Sequence, residues 1–135
     1  MKLNKLLLTV LTAAVLFSTA AYSFTAEAGK LKEKDKSLVN LRVGINSENF
    51  GVKKSSIYLA GKYKINDVVA DLSQKLFEEK DQGMQILIAR SLYEIGNNKG
   101  MNSVKSFAQK TDNQKVKNIL LQLYSSYAVQ GGRNN

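Results

Sequence analysis

The 135 residues contain no cysteine, no histidine, no tryptophan and no proline. Each absence removes a class of chemistry or of structure. Without cysteine there is no disulfide, no thiolate nucleophile and no cysteine-based zinc site. A bacterial lipoprotein anchor, which is attached at a cysteine, is excluded as well. Without histidine, the residue most often used as general acid or base near neutral pH is missing, so catalysis would fall to Asp, Glu, Lys, Tyr or Ser. Without proline nothing forces a kink in a helix. A domain with no cross-links must be held by its hydrophobic core, and a chain of this length can bury one. Nor is there a nucleophile elbow or a phosphate-binding glycine loop. Glu78, Glu79 and Asp81 form the densest carboxylate cluster, with Lys80 among them. They lack the spacing of a calcium loop and read as a helix end followed by the next helix cap. The expectation is a non-catalytic protein with no cofactor and no metal.

What is present begins with a leader. Lys2 and Lys5 form a positive start, Leu6 to Phe17 is an uncharged apolar run, and Ala26-Glu27-Ala28 has the small-x-small form that signal peptidase accepts. Ala21-Tyr22-Ser23 is a second candidate cleavage site. Left uncut, the run from Leu6 to about Ala26 would just span a bilayer, which takes about 20 apolar residues. Its second half is weakly apolar and rich in Ser, Thr and Ala, so a cleaved signal peptide over 1–28 is the expectation. Periplasmic or secreted localisation follows, with no membrane anchor after cleavage. The whole chain carries +9. Removing residues 1–28 takes away Lys2, Lys5 and Glu27 and leaves 18 cationic against 10 acidic side chains, a net +8. That balance favours anionic partners such as acidic proteins, lipid headgroups or envelope polymers, or else serves solubility alone. Nucleic acid is the weakest of these, because no reader motif or stacking platform accompanies the lysines. Residues 29–37, GKLKEKDKS, alternate in charge and read as a flexible arm. Residues 130–135 read as a flexible tail.

Between arm and tail the chain repeats. With a shift of 32 residues, Asn49, Asp81 and Asn113 fall in one column. All three are good helix N-caps. Below them run four columns: Val52, Met84 and Val116; Ser56, Ile88 and Leu120; Ala60, Leu92 and Tyr124; Tyr63, Ile95 and Tyr127. Their offsets from the cap, 3, 7, 11 and 14, trace one face of an α-helix and mark it as core. The intervening helices match more weakly, Val69 with Met101, Leu72 with Val104 and Leu76 with Ala108. The pattern predicts helices near 38–46, 50–64, 67–79, 82–96, 99–110 and 114–129, in three antiparallel pairs. One pair cannot bury its apolar face alone, so about three stacked pairs are a natural minimum.

The stretches ENFGVKKSSIYLAGKYKINDVVADLSQKL and KDQGMQILIARSLYEIGNNKGMNSVKSFAQ resemble the HEAT-repeat family, in its short bacterial variety. Val52-Lys53 and Val116-Lys117 are similar to that family's V-[RK] pair. Ser91 to Gly96 is similar to its A-L-G-x-I-G segment, except that Tyr93 stands where glycine is usual. Leu59 to Tyr63 matches the same segment more loosely. The usual turn proline is replaced by Asn66 and Asn98, and the third copy, ending YSSYAVQGG, has lost the glycine signature. The resemblance covers residues 38–129 and implies an all-α, right-handed α-solenoid of about three HEAT-like antiparallel helix pairs. It implies that the second helices, 50–64, 82–96 and 114–129, line a concave binding face. Their outward columns are Lys53, Gln85 and Lys117; Tyr58, Arg90 and Gln122; Lys62, Glu94 and Ser126.

The candidate partner-binding residues are therefore Lys53, Lys54, Tyr58, Lys62, Arg90, Tyr93 and Lys117. Aromatic and arginine side chains carry much of the energy of protein–protein contacts. The expected role is a protein–protein interaction or scaffold module, with electrostatic binding of an anionic envelope polymer or lipid as the alternative. Leu123, Tyr124 and Tyr127 lie near the last, open end with little obvious polar capping. The expectation is a monomer or, if they are exposed, a weak end-to-end dimer.

Overall fold

The computed structural model describes residues 35–133. The expected leader over 1–28, the arm up to residue 34 and the last two residues lie outside them. Regular structure among the described residues is all helical. Residues 35–45 form α1, followed by α2 (Phe50–Lys62), a 3-10 turn (Asn66–Val68), α3 (Val69–Glu78), α4 (Gln82–Ile95), α5 (Asn98–Lys110) and α6 (Gln114–Arg133). Two boundaries differ from the predicted ones by more than a turn's fraying. Helix α1 is already formed at Asp35, three residues before Leu38. Helix α6 passes the expected stop at 129 and runs through Gly131 to Arg133. A glycine costs about 1 kcal/mol in a helix, and extending a formed helix is far easier than starting one, so the pair of glycines slows the helix without ending it.

The starts of α2, α4 and α6 share one hydrogen-bond pattern. The Asn49, Asp81 and Asn113 side chains accept from the backbone N–H of Val52, Met84 and Val116 at 3.1, 2.8 and 3.0 Å. Two residues before each cap, Ser47, Glu79 and Thr111 accept from the cap residue's own N–H at 3.1, 3.0 and 3.3 Å. The first N–H groups of a helix have no partner within it, and these side chains supply one. The helix ends correspond too. Lys64 and Gly96, again 32 apart, both take left-handed backbone angles, φ 50° and 73°. Glycine adopts that conformation freely; lysine does so at a cost.

Residues from Leu38 onward form one compact unit. Helices α2, α4 and α6 lie in a row, α2 against α4 and α4 against α6. Helix α3 packs on α5 behind them, and each of these also packs on the helix that follows it. Helix α1 closes on α2 where Gly44 meets Ser56, so tightly that a Cβ on Gly44 would collide with the Ser56 hydroxyl. One core runs through the stack from Ile45 and Ile57 to Val116 and Leu120. Each of its fully buried large aliphatic side chains contributes about 1.5–3 kcal/mol.

The predicted core columns hold in α4 and α6 and fail in part at α2. Met84, Ile88, Leu92, Val116 and Leu120 are buried. Val52 and Tyr63, expected in the core, are 47% and 64% exposed, and α2 instead buries Ile57, Ala60 and Gly61. In α4 and α6 the corresponding positions pack against a preceding second helix; among the described residues α2 has none. The last end is better covered than its sequence suggests. Leu123, Tyr124 and Tyr127 are half-buried against the core. The Lys105 ammonium sits 4.9 Å from the centre of the Tyr124 ring. The Tyr127 hydroxyl donates to the Gly96 carbonyl at 3.3 Å and also bonds Asn98.

Candidate functional site

Phe50, Lys54, Tyr58 and Lys62 recur every four residues along α2. Such spacing makes one slightly slanted ridge on a helix, and all four side chains are exposed. Opposite them α4 presents Ile86, Leu87, Arg90 and Glu94. Between the two ridges lie two open hollows of about 300 and 560 Å³. Phe50, Lys54, Asp81, Gly83, Met84 and Ile86 line the first, Tyr58, Gly61, Lys62, Ser91 and Glu94 the second; Leu87 and Arg90 line both. The hollows are therefore parts of one groove along α2 and α4.

The floor of the groove is set by the close approach of these helices. The Ser91 hydroxyl, buried, donates to the Ile57 carbonyl at 2.9 Å. A Cβ on Gly61 would lie 2.7 Å from the Ser91 Cα. Only glycine fits there, and the absence of a side chain leaves the groove its depth at that point. On the α2 rim the Lys62 ammonium stands 6.0 Å from the centre of the Tyr58 ring and 5.6 Å from that of Tyr63. These distances lie at the outer reach of cation–π attraction, so the lysine remains available to a ligand. Lys54, Lys62 and Arg90 make no ion pair with another described residue. The groove thus offers three cations beside the carboxylates of Asp81 and Glu94, two aromatic rings and the aliphatic Leu87 and Ile86 on a helical frame.

Four of the predicted site residues, Lys54, Tyr58, Lys62 and Arg90, come together in this groove. The other three do not line it. Lys53 is mostly buried and pairs with Glu79 of the α3–α4 turn at 3.4 Å. Partial burial works to raise the Glu79 carboxyl. The N–H groups of Asp81 and Lys80, bonded at 3.0 and 2.9 Å, and the Lys53 ammonium outweigh it and hold the group below its ordinary value. Lys53 therefore ties α2 to a turn. Lys117 is the equivalent residue of α6 and is half-buried. Tyr93 is half-buried against the core, and its hydroxyl accepts from the Gln130 side chain of α6 at 2.8 Å. It stands between α4 and α6, at the position where Gly61 lets α2 touch α4, and acts as a spacer.

Phe50, Leu87 and Gly61 belong to the groove and were not singled out from the sequence. Phe50 carried a signal, since it completes the four-residue spacing of Lys54, Tyr58 and Lys62. Leu87 stands outside the repeat's core columns, and it is half-buried against the core on the α4 side of the groove. Among the described residues no group of three or more His, Cys, Asp or Glu side chains is placed to hold a metal ion. No described helix is long and apolar enough to cross a membrane. No family model, curated protein or solved structure matches this chain.

Proposed function

We propose that this is an exported, non-catalytic protein–protein interaction module, and that it recognises its partner along the α2–α4 groove. One observation carries the reading: Lys54, Tyr58, Lys62 and Arg90 converge with Phe50 and Leu87 on one rigid groove. Aromatic and arginine anchors beside an apolar floor are the composition of a protein-binding hot spot. The cations favour a partner with carboxylates near an apolar anchor and speed the encounter.

We take the fold as a short α-solenoid of HEAT-like pairs. Support comes from the caps and turns that recur at a 32-residue spacing and from the two rows of helices. The second helices α2, α4 and α6 form the binding side in this reading. Export by a cleaved leader rests on the residue pattern of 1–28.

Capture from a native envelope extract tests the proposal. The immobilised wild-type chain and a Tyr58→Ala, Arg90→Ala double variant are compared at low and high salt. A protein held by wild type at high salt and lost by the variant supports a packed interface in the groove. Polymer or lipid held at low salt alone replaces it with electrostatic binding to an anionic envelope component, because salt screens exposed charges. Equal capture by both chains removes the groove as the site.

A further inference from the structure

Along the α2 rim of the groove the side chains alternate: Phe50 and Tyr58 are aromatic, Lys54 and Lys62 cationic. Four residues of helix rise about 6 Å, so the row runs about 18 Å and its two lysine positions stand about 12 Å apart. Phe50 and Tyr58 are 57% and 53% exposed. Across the groove Arg90 lines both hollows, Ile86 and Leu87 lie towards the Phe50 end, and Glu94 lies towards the Lys62 end. Asp81 is engaged as the cap of α4, accepting from the Met84 N–H at 2.8 Å. Glu94, like the three cations, makes no ion pair with another described residue. The charge offered to a ligand is therefore positive along most of the groove and negative at one end.

These features stop at α4. The residues of α6 equivalent to the α2 row are Gln114, Asn118, Gln122 and Ser126, all exposed and uncharged. Tyr93, bonded to Gln130 of α6, stands in the gap between α4 and α6. A ligand that uses the rings and the charges lies along the two helices, not across the row.

The backbone of that ligand decides its form. An extended chain buried in the groove needs partners for its N–H and C=O groups. The backbones of α2 and α4 are bonded within their own helices. No Asn or Gln side chain lines either hollow, and the Ser91 hydroxyl is engaged with Ile57. Lys and Arg only donate, so they leave an extended ligand's N–H groups unserved. A helix carries its own backbone bonds and docks through side chains alone. Its surface rows recur at i and i+4, with the same step of about 6 Å as the α2 row.

We propose, on the reading that this groove is the binding site, that its occupant is an amphipathic α-helix of a partner protein whose contact row alternates apolar and acidic residues every four positions. The apolar side chains pack on Phe50, Tyr58 and Leu87. The acidic ones pair with Lys54 and Arg90, and a basic residue at the end of the row meets Glu94. Glu94 turns away a ligand that is acidic throughout, which makes it a determinant of specificity.

Fluorescence anisotropy with labelled synthetic peptides tests this, on the full chain expressed with its own leader so that the cell processes it. The first probe is a 16-residue helical peptide with Leu and Glu alternating at four-residue spacing and Lys at the end. The others are the same peptide with two central prolines, the same peptide with each Glu changed to Lys, and polyglutamate of equal length. The expected result is saturable binding of the first peptide. Each of the other three has a dissociation constant about tenfold or more higher. A Lys54→Glu, Arg90→Glu chain, with helicity checked by circular dichroism, reverses the preference between the acidic and the basic peptide. Arg90→Glu alone serves where the double variant fails to fold.

The proposal is overturned by no saturable binding of the first peptide, or by a proline or all-Lys peptide that binds as tightly. Polyglutamate binding as tightly overturns it too, in favour of charge alone, as does a preference that the charge reversal leaves unchanged. An envelope protein captured by wild type and lost by Tyr58→Ala, Arg90→Ala, with no helical peptide bound, keeps the groove and removes the helix. Peptide binding that the same double variant leaves intact removes both.

Discussion

The Ser91 hydroxyl donates to the Ile57 carbonyl at 2.9 Å, across a gap that admits no side chain at Gly61. This contact fixes how near α2 comes to α4 and so sets the floor of the groove. A glycine in an open helix gains about 1 kcal/mol when changed to alanine. At position 61 the new Cβ would stand 2.7 Å from backbone, which cannot move aside cheaply. Gly61→Ala is expected to lower stability by about 1–2 kcal/mol. A thermal melt reads this as a fall of some degrees; a rise would mean that the helices are not in contact there.

Tyr93 and Tyr58 separate structure from binding. Tyr58 is exposed, so Tyr58→Ala is expected to change stability by less than about 0.5 kcal/mol while weakening partner capture. Tyr93 is packed against the core and bonded to Gln130. Tyr93→Ala is expected to cost about 2 kcal/mol, measured by urea titration. Equal stability of the two variants would return Tyr93 to the list of binding residues.

The three side-chain caps predict equal and separable losses. Asn49→Ala, Asp81→Ala and Asn113→Ala each remove one bond to a first-turn N–H. Each is expected to cost about 1 kcal/mol, and glycine at the same positions only a few tenths. Denaturant unfolding of the six variants checks the order.

Lys64 carries left-handed backbone angles that Gly96 carries one repeat later. Lys64→Gly is expected to stabilise the protein by about 0.5–1 kcal/mol, the relief of the Cβ clash less the entropy of a freer unfolded chain. Gly96→Lys should do the reverse. Two melting curves decide it.

Glu79 makes stability depend on acid. Its carboxyl is held below the ordinary 4.5 in the folded chain, so folding favours the charged form. That contribution is complete above the unfolded value and is lost as pH falls through the lower folded one. Glu79→Ala removes it together with the acceptor for the Asp81 and Lys80 N–H groups. The variant is expected to be about 1–2 kcal/mol less stable than wild type near neutrality, with the gap narrowing as pH falls below about 4. Unfolding measured across that range tests the sign.

Helix positions and the phase of the repeat were legible along the chain because they depend on neighbours three to eleven residues apart. Asn49, Asp81 and Asn113 are caps wherever such residues precede an amphipathic run, and each does what its type and place predict. The role of a charged side chain was less legible. Lys53 and Lys54 are adjacent in sequence and both read as outward. One turns into the Glu79 site and the other onto the groove, because the helix rotates them about 100° apart and only the packed turn at residues 79–81 distinguishes the two directions. Tyr93 was visible as an anomaly, a large residue at a glycine position, yet its work as a spacer depends on where Gln130 lies.

The sequence by itself determined the helical character of the described residues, the starts of α2, α4 and α6 and the 32-residue spacing, since caps and hydrophobic periodicity are local properties of a chain. Tertiary structure alone decided which apolar faces find cover. Val52 and Met84 occupy the same column, and one is 47% exposed while the other is 2% exposed. The difference is that α4 has a second helix packed before it and, among the described residues, α2 has none.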